Sequence, residues 1–412
     1  MVAAGARCRY ERRKALMLFR IAKAIFHERQ HQQEAAAMNN NTIWDHLSPG
    51  AKDRNHSTQR TSCLLVLIVF VTWQETPEIL GEALSLQSRL VQLVRESGLE
   101  EDAAGSEPLD WRAWIEAESA RRVKLFAFCF LNVQSIAYNT PPILLSYEIK
   151  LQLPCLCQEW IAVNETEWVS VRQRMPKQKL FQDAMATLMR RSGDASCIEP
   201  TPSPVANYIL LHGLLYIVGA AKPSNTQRRY RYHNGTERCI GVSALTLTHG
   251  ALWIETRYKI YWLVLIVFFS KAALHGWTSG WQRAPESSLD PLNPNGPIPF
   301  TSTAFLGLAY CRIHVDLGPY RNLNTRDPQK IASVLSSSPD VPRSRSLLPA
   351  LLHATHALSI PVKLGVDYVA QSQAFVWSIQ HVLCAVEFAI VLNKWLYSVS
   401  QSHSTNPLNG MN

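Results

Sequence analysis

Residues 111–168 constrain this chain more than any other stretch, because Trp111, Trp114, Tyr138, Trp160 and Trp168 crowd into it. Each such ring has on the order of 150–250 Å² to bury, and a packed helical core is the economical way to cover so many of them. Pro141-Pro142 removes two backbone donors and ends any helix that reaches it. The pattern therefore predicts a helix carrying Trp111 and Trp114, a Pro-Pro break, and a second helix with further aromatic anchors.

The whole chain has room for a large core. It has 412 residues, 47% hydrophobic and 18% charged, which suits one helical domain or two lobes and gives no compositional case for global disorder. The nine cysteines, at 8, 63, 129, 155, 157, 197, 239, 311 and 384, include no CxxC pair, a reduced intracellular pattern. Cys155 and Cys157 are the one close pair, expected as small core residues beside Pro154 rather than metal ligands. The start, MVAAGARCRYERRK, has no apolar h-region behind it, so no secretory signal is expected and the sequons at Asn55, Asn164 and Asn234 are expected to be unused. The uncharged runs 61–74 and 260–270 are shorter than the roughly 20 residues of a spanning helix, so they are read as core and no membrane is expected.

The net charge of +9 is concentrated in two places. Residues 1–41 carry +5 and residues 222–271 carry +6, leaving the rest at −2. Most of the chain thus has no electrostatic footprint for nucleic acid.

Hydrophobic periodicity predicts an all-α class: a multi-helix domain with long loops. Residues 10–37 read as an amphipathic basic helix with Leu16, Phe19, Ala22, Ile25 and Phe26 on one side, and 38–60 as a polar linker. Two helical segments follow over 61–98, the second ended by Gly98. Helices are further expected at 181–190, 207–218, 304–314, 347–358 and 366–397, with loops at 192–204 and 285–299 and a linker at 333–345.

The series from Trp111 and Trp114 through Arg121, Arg122, Tyr138, Pro141, Pro142, Glu148 and Leu153-Pro154 to Trp160 and Trp168 resembles the regulatory (middle homology) domain of fungal transcription factors. The resemblance is to those that carry two-cysteine, two-histidine zinc fingers in front of this domain. SRLVQLVRESGL within 65–99, WQRAPESSLDPLNPNGPIPFTSTAFLGLAYCRIHVDLGPYRNLNTRDP at 281–328 and IPVKLGVDYVAQSQAFVWSIQHVLCAVEFAIVLNKWL at 360–396 are also similar to the family. The expected organisation is a basic helix and linker (1–60), a first helical half (61–221), a second helical half (272–400) and a disordered tail (401–412). Between the halves, 222–271 departs from the family with RRYRYHNGTER and IYWLVLIVFF, and is read as an insertion or a translated intron.

The second departure concerns DNA binding. A zinc finger needs a close cysteine pair followed by a close histidine pair, and His27 and His31 have only Cys8 upstream, so no site closes. The six-cysteine binuclear cluster is excluded for the same reason. His27, Glu28 and His31 spell HExxH, but no sheet precedes them and no third ligand follows, so a solvated helical face is expected. No Asp-Asp pair, P-loop or GxGxxG occurs, and Gly276-Trp277-Thr278-Ser279-Gly280 has Thr at the nucleophile position of GxSxG.

No enzyme activity is expected, and no catalytic, cofactor or metal residue is assigned. His353 and His356, three apart, with His381 further on, suit either a metal pair or surface and capped core histidines, the latter being expected. The tryptophans at 111, 114, 160, 168, 377 and 395 suit an effector pocket or, as expected, core packing.

The resemblance implies a nuclear transcription regulator, and some members of the family control secondary-metabolism gene clusters. DNA, other transcription proteins and a second copy of the chain are the implied partners. Zinc is expected only if a finger is encoded upstream of Met1. The rival reading is a helical interaction protein that binds no DNA and modulates an intact factor. Messenger RNA sequencing tests the reading of 222–271: the dominant transcript should lack the segment, and one retaining it in frame contradicts the idea.

Overall fold

The computed structural model describes residues 2–39, 51–74, 77–101, 110–190, 198–220, 270–321, 323–341, 343–371 and 378–405. Among these residues the architecture is all-α, with only isolated bridges in place of strands. The expected insertion falls outside them except for Ser270 and Lys271.

The N-terminal part consists of α1 (Val2–Cys8), α2 (Arg12–Asn39), α3 (Ala51–Thr72), α4 (Pro77–Glu96) and α5 (Trp111–Tyr138). On α2 the buried side chains are Ala15, Phe19 and Phe26, whereas Ala22 and Ile25 of the predicted face are exposed. The expected linker is corrected at its far end. Residues 51–60 contain neither Gly nor Pro, so the helix nucleated by the buried Leu64, Ile68 and Val71 runs back to Ala51. Gly98, at φ +78°, follows the end of α4 as expected and donates its N–H to the Arg95 carbonyl (3.0 Å).

Helix α5 starts on Asp110, whose carboxylate accepts the Ala113 N–H at 3.0 Å. It ends at Asn139 in the left-handed region, just before Pro141-Pro142. The predicted second aromatic helix is replaced by shorter pieces. Residues 149–153 are extended, exchanging backbone hydrogen bonds with 99–101 and 179–181, and only then come α6 (Cys157–Trp160) and α7 (Glu165–Arg172). Pro154 and these edge contacts divert a segment whose aromatic spacing alone looked helical. Asn164, one of the sequons, spends its side chain capping α7 through the Glu167 N–H.

Next come α8 (Phe181–Met189), α9 (Pro204–Ala220) and α10, residues 270–283. The C-terminal part is α11 (Ile298–His314), α12 (Pro328–Ser336), α13 (Leu348–Leu364), α14 (Val366–Gln371) and α15 (Ile379–Thr405). Three boundaries are corrected. Helix α11 begins before 304, because Pro299 sits in its first turn where no N–H is missed. Helix α12 occupies part of the predicted linker, started by the Asp327 cap and Pro328. Helix α15 continues to Thr405, inside the expected tail.

Helix α11 is the hub, packing against α9, α13 and α15 along a face buried from Pro299 to Cys311. Gly307 makes this possible, since a Cβ there would lie 3.0 Å from the Phe388 ring and 3.1 Å from the His353 Cβ. Among the described residues two stretches, Arg345–Leu364 and Ile379–Gln401, are long and apolar enough by length and composition to cross a membrane. Their inner faces pack on α11, and Glu387 in the middle of the second is ion-paired inside the protein.

That ion pair ties the two parts together. Arg312 grips Glu387 in a bidentate pair (Nη2–Oε1 2.7 Å, Nε–Oε2 3.2 Å), and Arg321 reaches the same carboxylate at 2.8 Å. Both arginines also donate to the Ile136 carbonyl in the last turn of α5, where the helix dipole favours positive charge. A little further on, the Arg326 Nη2 donates to the Thr72 carbonyl (3.0 Å) and to the Tyr138 hydroxyl (2.7 Å), closing the ends of α3 and α5. Glu387 and Arg321 are 2% and 3% exposed, so neither charge is compensated by water.

Two predictions follow from this core. Glu387→Ala leaves two arginines buried without a counter-charge, and should lower the unfolding free energy by about 3–5 kcal/mol in urea denaturation; a loss below about 1 kcal/mol contradicts the clamp. His212 is fully buried between Tyr208 and Phe305, and burial pushes its pKa from 6.5 down to about 3. The unfolded chain therefore binds a proton that the folded chain refuses, so the stability held above pH 6.5 is lost as pH falls towards 3. His212→Leu should reduce the slope of stability against pH in this window by up to about 1.4 kcal/mol per pH unit; an unchanged slope contradicts the assignment.

Candidate functional site

Two aromatic assemblies stand out, and their geometries suit different tasks. In the first, Trp114 lies 5.3 Å from Trp168 and 6.3 Å from Trp160, with Trp111 packed alongside. Arg122 covers the Trp160 ring at 4.0 Å and Arg172 covers Trp168 at 5.0 Å. The arginines are held from below by buried carboxylates. Glu118 pairs with Arg122 (2.8 Å) and with Arg121, and accepts the Cys155 N–H (3.0 Å), while Glu159 pairs with Arg172 (2.8 Å). Arg121 continues to Glu101, whose carboxylate accepts the Gln152 N–H. The charged groups here pair with one another and with the backbone, so the assembly is a clasp fastening 149–172 onto α5. Core packing is thus the fate of Trp111, Trp114 and Trp168, whereas Trp160 is 37% exposed at the rim of the assembly; Trp395 packs against the main core, and Trp377 lies outside the described residues.

The second assembly encloses space. Helices α10, α11, α13 and α15 surround a cavity of about 480 Å³ lined by Trp277, Trp281, Phe300, Leu352, Ile360 and Phe388, with His353, His356 and His381 among the wall residues. The three histidines that the sequence grouped loosely are thus brought to one cavity. They are not arranged as metal ligands: among the described residues no cluster of three His, Cys, Asp or Glu side chains suits a metal ion. His381 stacks on Phe300 with centroids 4.8 Å apart, and its Nδ1 accepts the Ser378 N–H at 3.2 Å. This bond places the ring proton on Nε2. Burial brings the His381 pKa down to about 4, and burial together with His356 lowers that of His353, which stacks on Tyr310 at 5.1 Å.

Trp277 and Trp281, one turn apart on α10, stack at 6.5 Å and form a wall of the cavity. Trp277 donates its indole N–H to the Asn207 carbonyl at 2.8 Å. The Trp281 Nε1–H is buried and has no acceptor among the described residues. Both tryptophans went unassigned in the sequence reading, although their i, i+4 spacing marks one face of a helix.

The remaining sequence candidates lie elsewhere. His27 is half-buried against Phe26, whereas Glu28 and His31 are exposed on α2 and Glu28 accepts a bond from Gln32 (2.8 Å). Cys155 is buried with its thiol pKa raised by burial and by Glu118, and burial raises Cys157 to about 11, so both sulfurs stay protonated and are poor ligands. Thr278 donates its hydroxyl to the Leu274 carbonyl, the bond of a helix-packing threonine.

Comparison with known proteins agrees with the resemblance. Residues 3–238 match the fungal specific transcription factor domain, and residues 316–411 match the fungal transcription factor C-terminal domain. Zinc finger protein zas1 of Schizosaccharomyces pombe (strain 972 / ATCC 24843) is 27% identical over 111 residues, which is 26% of this chain and 12% of that relative's length. No solved structure matches. With the first match alone covering more than half of the sequence, the chain belongs to the fungal-specific transcription factor family, a family of transcription regulators.

Proposed function

We propose that this chain is the helical regulatory portion of a nuclear transcription regulator, acting on transcription through contacts with other transcription proteins. The observation that carries this reading is the fit between the two family matches and the fold. Arg321 and Glu387 of the segment 316–411 form one side of the clamp, and both Arg312 and Arg321 donate to the Ile136 carbonyl of the segment 3–238, so the two matched segments meet there. Cys155 and Cys157 stay protonated and Glu118 is held in an ion pair, which fits a family of regulators.

DNA contact is assigned to a zinc finger outside the matched segments, as the relative's name suggests for that protein. The basic N-terminal helices are assigned to nuclear targeting: residues 1–41 carry +5, and Arg9, Arg12, Arg13 and Arg20 are exposed. The rival reading, a modulator that binds no DNA itself, draws on the absence of any Cys-Cys/His-His pattern in these 412 residues.

Tethering tests the proposal. Fused to an unrelated DNA-binding domain, the chain should enter the nucleus and change the output of a reporter bearing that domain's site several-fold, and Glu387→Ala should abolish the change. Nuclear exclusion with unchanged reporter output overturns the reading. A mobility-shift assay on the chain alone with added zinc separates the rivals, with sequence-selective binding contradicting the modulator.

A further inference from the structure

The cavity between α10, α11, α13 and α15 has the dimensions and chemistry of a small-molecule site. Its volume of about 480 Å³ lies within the roughly 300–1,000 Å³ of ligand pockets. No Asp, Glu, Lys or Arg is among the described residues that line it. A charged ligand would lose its hydration without compensation, so the occupant is uncharged. Trp277 and Trp281 present stacked indoles, and Phe300 and Phe388 add ring surface, an arrangement suited to a flat, conjugated body. The space opens beside Leu348 and Leu352, which are 55% and 62% exposed, so it can be reached from solvent.

We propose that this cavity binds an uncharged, flat, largely apolar molecule, its body between the Trp277–Trp281 pair and Phe388. The site goes beyond the transcriptional reading, since binding is measured on the purified chain whether or not the chain acts on a promoter. Because the walls come from four helices, α10, α11, α13 and α15, an occupant stabilises their mutual packing by mass action.

Nile red, an uncharged planar dye, is a suitable probe. The full chain should bind one dye, with blue-shifted emission and a raised melting temperature, and should bind the anionic 8-anilinonaphthalene-1-sulfonate far more weakly. Trp281→Ala removes half of the stacked wall and should weaken Nile red binding about tenfold. Ala357→Phe, which inserts a ring at a half-buried wall position, should abolish binding while helicity is retained. Binding unchanged in Trp281→Ala, or equal uptake of both dyes with several per chain, overturns the proposal. Should either variant fail to fold, the comparison of the two dyes on the unaltered chain decides alone.

Discussion

A single buried carboxylate organises this fold. Glu387 sits on α15, yet its two partners, Arg312 and Arg321, lie on α11 and the loop that follows it, and both arginines also reach the last turn of α5. Three distant parts of the chain therefore share one charge network in a place without water. Such a network adds little net stability over apolar packing, but each member is indispensable once the others are buried. Its chief effect is on arrangement: α11 can lie on α9 and α15 only where the arginines meet both the carboxylate and the end of α5.

This constraint also brings the family's two matched segments together. The N-terminal segment contributes α3, α4, α5 and α9, and the open ends of α3 and α5 are closed by Arg321 and Arg326 of the C-terminal segment. In turn α11, α13 and α15 need the α9 surface to bury Phe305 and Leu308. The cavity lies in the same arrangement, between Trp277 and Trp281 of α10 and the facing walls of α11, α13 and α15.

Much of the local structure was legible in the sequence. The helices at α4, α5, α8 and α9 follow from apolar spacing, and Gly98 ends α4 because only a residue tolerant of positive φ suits that position. The family resemblance rested on the Trp111 to Trp168 series and on HVDLGPYRNLNTR, and both proved structural: the first is the clasp on α5, the second carries Arg321 and Arg326. What stayed hidden depended on distant partners. Residues 149–153 look compatible with a helix until their backbone pairing with 99–101 and 179–181 is known, and the polar residues 51–60 look like a linker until the apolar face at 64–71 is seen to anchor them. The cavity was illegible for the same reason, since His353, His356 and His381 converge only through the crossing of α13 and α15.

The central claim is that one clamp makes the two family segments a single cooperative body. Native-state amide hydrogen exchange on Arg321→Met measures this most directly. The account predicts that amides in 125–138 of α5 and in 383–395 of α15 lose protection together and by the same factor. Loss confined to α15, with α5 exchanging as in the unaltered chain, would contradict it.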